Sequence, residues 1–217
     1  MESGTVSTRE PVTGDGARSS EHLAQALEKT GWTPADPGPL GLAAFAMTTF
    51  VLSMFNAKLV GSGGEPVVLG LAVAYGGLAQ LLAGMWEFRT GNTFGAVAFT
   101  SFGAFWISFF VLLRVTPASG ITPHAVSLYL WMWAIFTAYM FLASLRTTAA
   151  VAGVFLLLTI TFILLAIGDM GSGNKSITHA GGYVGIATAI VAWYASFAAV
   201  INSTFGRVVA PVVPLKR

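Results

Sequence analysis

The sequence predicts an all-α membrane protein with six transmembrane helices per protomer. Three observations carry that reading. Of 217 residues, 55% are hydrophobic and 9% are charged, against about 25% charged in an ordinary soluble domain. Mean hydropathy is +0.74. The charges are also segregated: nine of twenty lie in residues 1–36 and three in 207–217, leaving eight between Pro37 and Gly206. So few charges cannot clothe a soluble surface, which excludes a soluble enzyme.

A helix needs about 20 mostly apolar residues to cross the hydrocarbon layer. Six stretches meet that length: Leu40–Ala57, Pro66–Phe88, Thr93–Leu113, Ala125–Leu145, Ala149–Ile167 and Ala180–Val200. The first follows Asp36-Pro37-Gly38-Pro39, where Asp36 can cap the helix and a proline in the first turn wastes no hydrogen bond. The same unpaired N–H groups attract anions, with the Asp36 carboxylate as a competitor. Between the second and third spans, Gly91 suits a left-handed helix ending and Asn92 then caps the third span. In that third span Gly95, Phe99 and Gly103 recur at intervals of four, a small-residue face for close packing. All the links are short, so consecutive helices are expected to be antiparallel neighbours.

Around the six-helix domain, 36–206, lie an N-terminal tail (1–35) and a C-terminal tail (207–217). Residues 1–20 are rich in Gly, Ser and Thr, a composition of disorder. Ser20–Thr30 carries an apolar stripe (Leu23, Ala24, Ala26, Leu27) suited to a helix lying on the bilayer surface. With both termini cytoplasmic, the inner segments hold eight basic residues and the outer loops three: Lys58, Arg114 and Lys175. That bias favours both termini inside, in a cell membrane.

Several chemistries are excluded. A net charge of +2 with no basic cluster gives no nucleic-acid partner. Zero cysteines remove disulfides, thiolate metal sites and a cysteine nucleophile. No H-E-x-x-H, G-x-S-x-G or phosphate loop with lysine occurs. The sequence therefore offers no catalytic constellation, and no metal site or cofactor is expected.

Function in such a chain is expected at polar groups held at membrane depth, where they are costly. Gln80 and Glu87 are seven residues apart, two turns, and share a helix face. Glu87 either pairs locally with Arg89 or couples protons. Thr48, Thr100 and Ser101 add hydroxyls within spans, and Asn92 adds an amide at a span's start. At the outer ends lie Asp169, His124 and His179. A histidine can shuttle protons, although such positions also suit ordinary surface residues.

These residues fall into ordered motifs: Asp36-Pro37-Gly38-Pro39-Leu40-Gly41-Leu42 with Phe45 following, then Tyr75-Gly76-Gly77-Leu78-Ala79-Gln80, Ala83-Gly84 and Glu87-Phe88. They continue through Gly91-Asn92-Thr93-Phe94-Gly95 to Ala98-Phe99-Thr100-Ser101-Phe102-Gly103 and Phe105-Trp106. Phe205-Gly206-Arg207 and Pro211 close the series. From Asp36 to Pro211 the chain resembles the acetate uptake transporter family, which includes bacterial succinate–acetate permeases and fungal acetate and ammonia-associated membrane proteins. The resemblance implies a homohexameric ring in which each protomer carries its own path for acetate, succinate or another short carboxylate, as channel or proton-coupled carrier. It also implies an apolar constriction at Phe45, Phe102 and Leu158. Two departures stand out. The signature asparagine is Asp36 here, and the usual constriction tyrosine is Phe102.

On this reading Thr48, Gln80, Asn92, Thr100 and Ser101 replace hydration water on either side of the constriction, and Glu87, His124 and His179 are the candidates for proton coupling. A carboxylate crosses an apolar neck more cheaply when protonated or hydrogen-bonded. Two other classes stay open: a channel for neutral solutes such as urea, amides or ammonia, and a membrane scaffold or sensor that transports nothing.

Overall fold

The computed structural model describes residues 34–61, 64–170 and 173–215, with Ser19 and His22 as isolated positions. The chain divides into two units, Met1–Pro34 and Ala35–Arg217, and the second contains every membrane-length helix. The surface helix expected at Ser20–Thr30 lies outside the described residues, apart from His22.

Among the described residues, six helices are long and apolar enough to cross a membrane. They are α1 (Gly38–Asn56), α2 (Pro66–Thr90), α3 (Thr93–Arg114), α4 (Pro123–Ser144), α5 (Ala149–Gly168) and α6 (Lys175–Phe205). This is a multi-pass membrane protein. Exposed large side chains such as Leu78, Leu82, Leu128, Ile135 and Leu142 cover the helices' outer faces, as lipid contact requires.

The helix ends follow local chemistry. Asn92, Thr122, Thr148 and Asn174 cap α3 to α6 through their side chains. Gly91 and Gly206 end α2 and α6 in the left-handed region, at φ 77° and 62°. The α6 helix runs five residues beyond the predicted span at each end, because Asn174 starts it early and nothing before Gly206 stops it. Asp36 does not occupy the N-cap expected of it. Pro37 does, while Asp36 Oδ1 accepts from the Gly38 N–H at 2.8 Å. The α2 helix contains a π-helical stretch, Ala74–Ala79, ahead of Gln80; such bulges mark functional sites.

The helices close into a ring, α1–α2–α3–α4–α5–α6, with α6 returning against α1. Small residues allow the close contacts: Gly84 lets α2 meet the backbone of α3 at Thr100, and Gly185 lets α6 meet Ser53 of α1. Ser127 Oγ donates to Ala166 O at 2.8 Å and Ser196 Oγ to Pro39 O at 2.7 Å, tying α4 to α5 and α6 to α1. One junction departs from the expectation of adjacent consecutive helices. The backbones of α3 and α4 barely meet and are bridged by aromatic rings, with Phe105 stacked on Tyr129 at 5.9 Å and Phe102 edge-on to Phe136 at 5.4 Å.

Beyond α6 the chain turns back. Leu215 N donates to Thr147 O and Ala149 N to Val213 O, each at 2.9 Å, around a β-bridge between Thr148 and Pro214. Asn202 secures the turn through the N–H groups of Val209 and Ala210 and the Ala210 carbonyl. The segment read from sequence as a tail is thus a fixed strap across the α4–α5 link.

Candidate functional site

Two cavities occupy the ring, and three helices run from one to the other. On α1, Leu42 borders the cavity at the end where α1 begins and α6 finishes, the terminal-end cavity, and Phe45, Thr49 and Ser53 border the cavity at the distal end. On α3 the sequence is Phe94 and Ala98, then Phe105 and Trp106; on α5 it is Val151 and Phe155, then Leu158 and Thr161. The changeover falls at one level on all three helices. At that level sit Phe45, Phe102 and Leu158, at 4%, 3% and 3% exposure. The Phe45 and Phe102 ring centroids are 5.7 Å apart, and Phe102 is 6.1 Å from Phe155. Phe155 belongs to this layer, although the sequence motifs do not single it out. Its signal was present: it lies one turn before Leu158 on the same helix face.

The terminal-end cavity, about 530 Å³, is bordered by Asp36, Glu87, Asn92, Thr147, Thr148 and Pro214 among others. Glu87, buried at 2% exposure, accepts from Thr90 Oγ1 at 3.1 Å and from the Asn92 side chain. A hydroxyl and an amide thus hold its carboxyl group where the helix ends. Asp36 Oδ1 and Glu87 Oε1 both lie within 3.6 Å of where a Cβ on Gly38 would stand. Two carboxylates therefore share this mouth.

The distal cavity, about 180 Å³, is mostly apolar and adjoins a polar vestibule of about 340 Å³ that includes Lys58, Asp169, Asn174, Lys175 and His179. Asn56, Asp169 and Thr178 border both spaces. Burial pushes the Asp169 carboxyl above the usual carboxylate range. On the cavity wall, Thr49 Oγ1 and Trp106 Nε1 are buried without a hydrogen-bond partner. An unsatisfied buried donor costs about 1–3 kcal/mol, so these two are the costly polar atoms of residues bordering this cavity. Neither was singled out as a ligand group from sequence, because a hydroxyl and an indole in a span read as packing until their missing partners are seen.

The polar residues picked from sequence are distributed differently. Asn92 and Glu87 reach the terminal-end cavity and His179 the vestibule. Thr48 is fully buried against Gly76, its hydroxyl donating to Ala44 O at 2.9 Å. Gln80 Oε1 and Thr100 Oγ1 are buried without partners but border neither cavity, as is also true of half-buried Ser101. His124 is exposed in the first turn of α4, outside both cavities and the vestibule.

Residues 24–217 match the GPR1/FUN34/yaaH family. The chain belongs to that family. The motif resemblance read from the sequence is shown by this match and by several relatives. The chain is 40% identical over 182 residues to the succinate-acetate/proton symporter SatP of Escherichia coli, covering 82% of this chain and 95% of that protein. It is 41% identical over 195 residues to acetate permease A of Emericella nidulans, covering 82% and 65%. It is 42% identical over 191 residues to accumulation of dyads protein 2 of Saccharomyces cerevisiae, covering 83% and 66%. The chain thus spans about two thirds of the length of these two fungal family members. Among solved structures, that of the bacterial acetate channel SatP superposes with a TM-score of 0.77 at 38% identity, covering 83% of this chain and 99% of that one. The six-helix fold of this family member is therefore that of a solved channel.

Proposed function

We propose that the chain transports acetate and other short carboxylates, succinate included, across the cell membrane through a path inside each protomer. The observation that carries this reading is the common level at which α1, α3 and α5 pass from one cavity to the other, filled by Phe45, Phe102, Leu158 and Phe155. An apolar layer between two polar-mouthed cavities excludes hydrated ions while passing a small solute that sheds its water. Thr49 Oγ1 and Trp106 Nε1 supply hydrogen bonds to a carboxylate waiting at the layer, and Asn92 does so on the other side. The likeness to an acetate permease, a succinate-acetate/proton symporter and an acetate channel supports the substrate class.

The same reading makes the protein a transporter and not an enzyme. It places both termini in the cytoplasm by the positive-inside bias and assembles protomers into a hexameric ring. The terminal-end cavity is then the inner mouth and the vestibule the outer one.

The test is labelled acetate uptake into liposomes holding the purified protein, with and without an inward proton gradient, protein-free liposomes subtracted. Accumulation above equilibrium establishes a proton-coupled carrier; saturable downhill flux establishes a channel; absence of both overturns the proposal. Phe102 favours one second reading, since a neck without the tyrosine hydroxyl is wholly apolar and suits urea or ammonia. Urea flux exceeding acetate flux would establish it.

A further inference from the structure

The cavity floor facing the distal mouth carries an acid that neither the family motifs nor the constriction accounts for. Asp169 follows directly on α5 and borders both the vestibule and the apolar cavity beneath it. The wall common to those two spaces is made by Asn56, Asp169 and Thr178, and Asp169 is its one acid. It is half-buried, and burial alone acts on its carboxyl among the described residues. Among the described residues the other ionisable side chains of the vestibule are bases: Lys58 from the α1–α2 link, and Lys175 and His179 from α6. From α4, Tyr129 borders the apolar cavity.

Opposed charges thus surround a small opening. Lys58 and Lys175 draw carboxylates into the vestibule, while an ionised Asp169 at its floor repels them from the next step. Once Asp169 takes up a proton, the floor is neutral and the lysines act without opposition. Low dielectric at a partly buried site enlarges the effect of that single charge.

We propose that Asp169 is a charge-selecting residue of the distal mouth: protonated, it admits carboxylates to the apolar cavity, and ionised, it turns them back. This role rests on the carboxylate-transport reading. It predicts that flux rises as the pH on the distal side falls through the range in which Asp169 titrates. His179 is not required for the effect.

The test is labelled acetate flux in liposomes over a series of external pH values, protein-free liposomes subtracted, for the natural protein, Asp169→Asn, Asp169→Glu and His179→Gln. The ionisation of acetate itself is common to all four. Asp169→Asn is expected to pass about three- to tenfold more acetate than the natural protein at pH 7, the scale of removing one charge from a partly screened opening, and to match it at acid pH. Asp169→Glu is expected to keep the pH profile, which also shows that the position tolerates substitution, and His179→Gln to keep most of it. Identical profiles for the natural protein and Asp169→Asn would overturn the inference while leaving carboxylate transport standing. Flux through Asp169→Asn that stays well below the natural protein's at acid pH, with Asp169→Glu active, would overturn it in favour of proton donation. No flux in the natural protein at any pH would overturn both readings together.

Discussion

Phe45 of α1 and Phe102 of α3 meet with ring centroids 5.7 Å apart and planes inclined at 53°, at the level that separates the two cavities. Phe102 also contacts Phe155, Phe136 and Trp133, so its ring is held from several sides while Phe45 borders the distal cavity directly. Truncating either ring or Leu158 should open the layer. Phe45→Ala and Leu158→Ala are expected to raise succinate flux relative to acetate severalfold, at about 2–5 kcal/mol of stability. Unchanged size selectivity in liposomes would remove the constriction role.

Thr49 and Trp106 make a different forecast. Their donor atoms have no partner among the described residues, so removing them sacrifices no hydrogen bond there. Thr49→Val should leave thermal stability the same or slightly higher and Trp106→Phe should lower it through lost packing, while half-saturation for acetate rises about fivefold or more in each, the scale of one lost hydrogen bond in a dry site. A fall in stability with unaltered half-saturation would mean that both atoms serve packing.

At the opposite mouth, Asp36 sets a second carboxylate beside Glu87 across Gly38. Asp36→Asn should relieve that repulsion, keep a side-chain acceptor for the Gly38 N–H, and raise acetate flux a few-fold at neutral pH. Glu87→Gln retains an acceptor for Thr90 and is expected to fold; loss of pH-dependent uptake in that variant would assign Glu87 to proton coupling.

Asp169 also links pH to stability. Burial raises its folded-state pKa, so its ionised form is less favourable folded than unfolded. No penalty exists below the ordinary carboxylate range, and it grows as pH rises through the raised range. Asp169→Asn should therefore match the natural protein's melting temperature in acid and exceed it at neutral pH. Thermal scans in detergent at two pH values test this independently of transport.

Much of the fold was legible in the residues. Segregated charge and apolar stretches of spanning length allow only helices crossing a bilayer, because an unsatisfied backbone cannot sit in hydrocarbon. Gly91 and Asn92 announced their turn, since few residues accept φ 77° and few cap so well. The motif series pointed to the family and, through it, to Phe45, Phe102 and Leu158. What one dimension could not supply was which side of a helix faces the path. Thr48 and Thr49 are neighbours of the same type, yet Thr48 is spent on Gly76 and the Ala44 carbonyl while Thr49 borders the cavity, its hydroxyl unpartnered among the described residues. A rotation of about 100° per residue separates the two roles, and in a helix apolar nearly all round no amphipathic pattern fixes that rotation.

The sequence by itself therefore determined the class, the number of spans and the family, because hydrophobic length and local capping act through neighbouring residues. The tertiary structure alone decided that α3 and α4 stand apart on aromatic spacers, that Phe155 joins the apolar layer, that the C-terminal strap borders one mouth, and that Asp169 lies on the floor of the other. Each of these depends on how helices rotate and pack against partners far along the chain, where close contact at glycines such as Gly84 and Gly185 settles the arrangement.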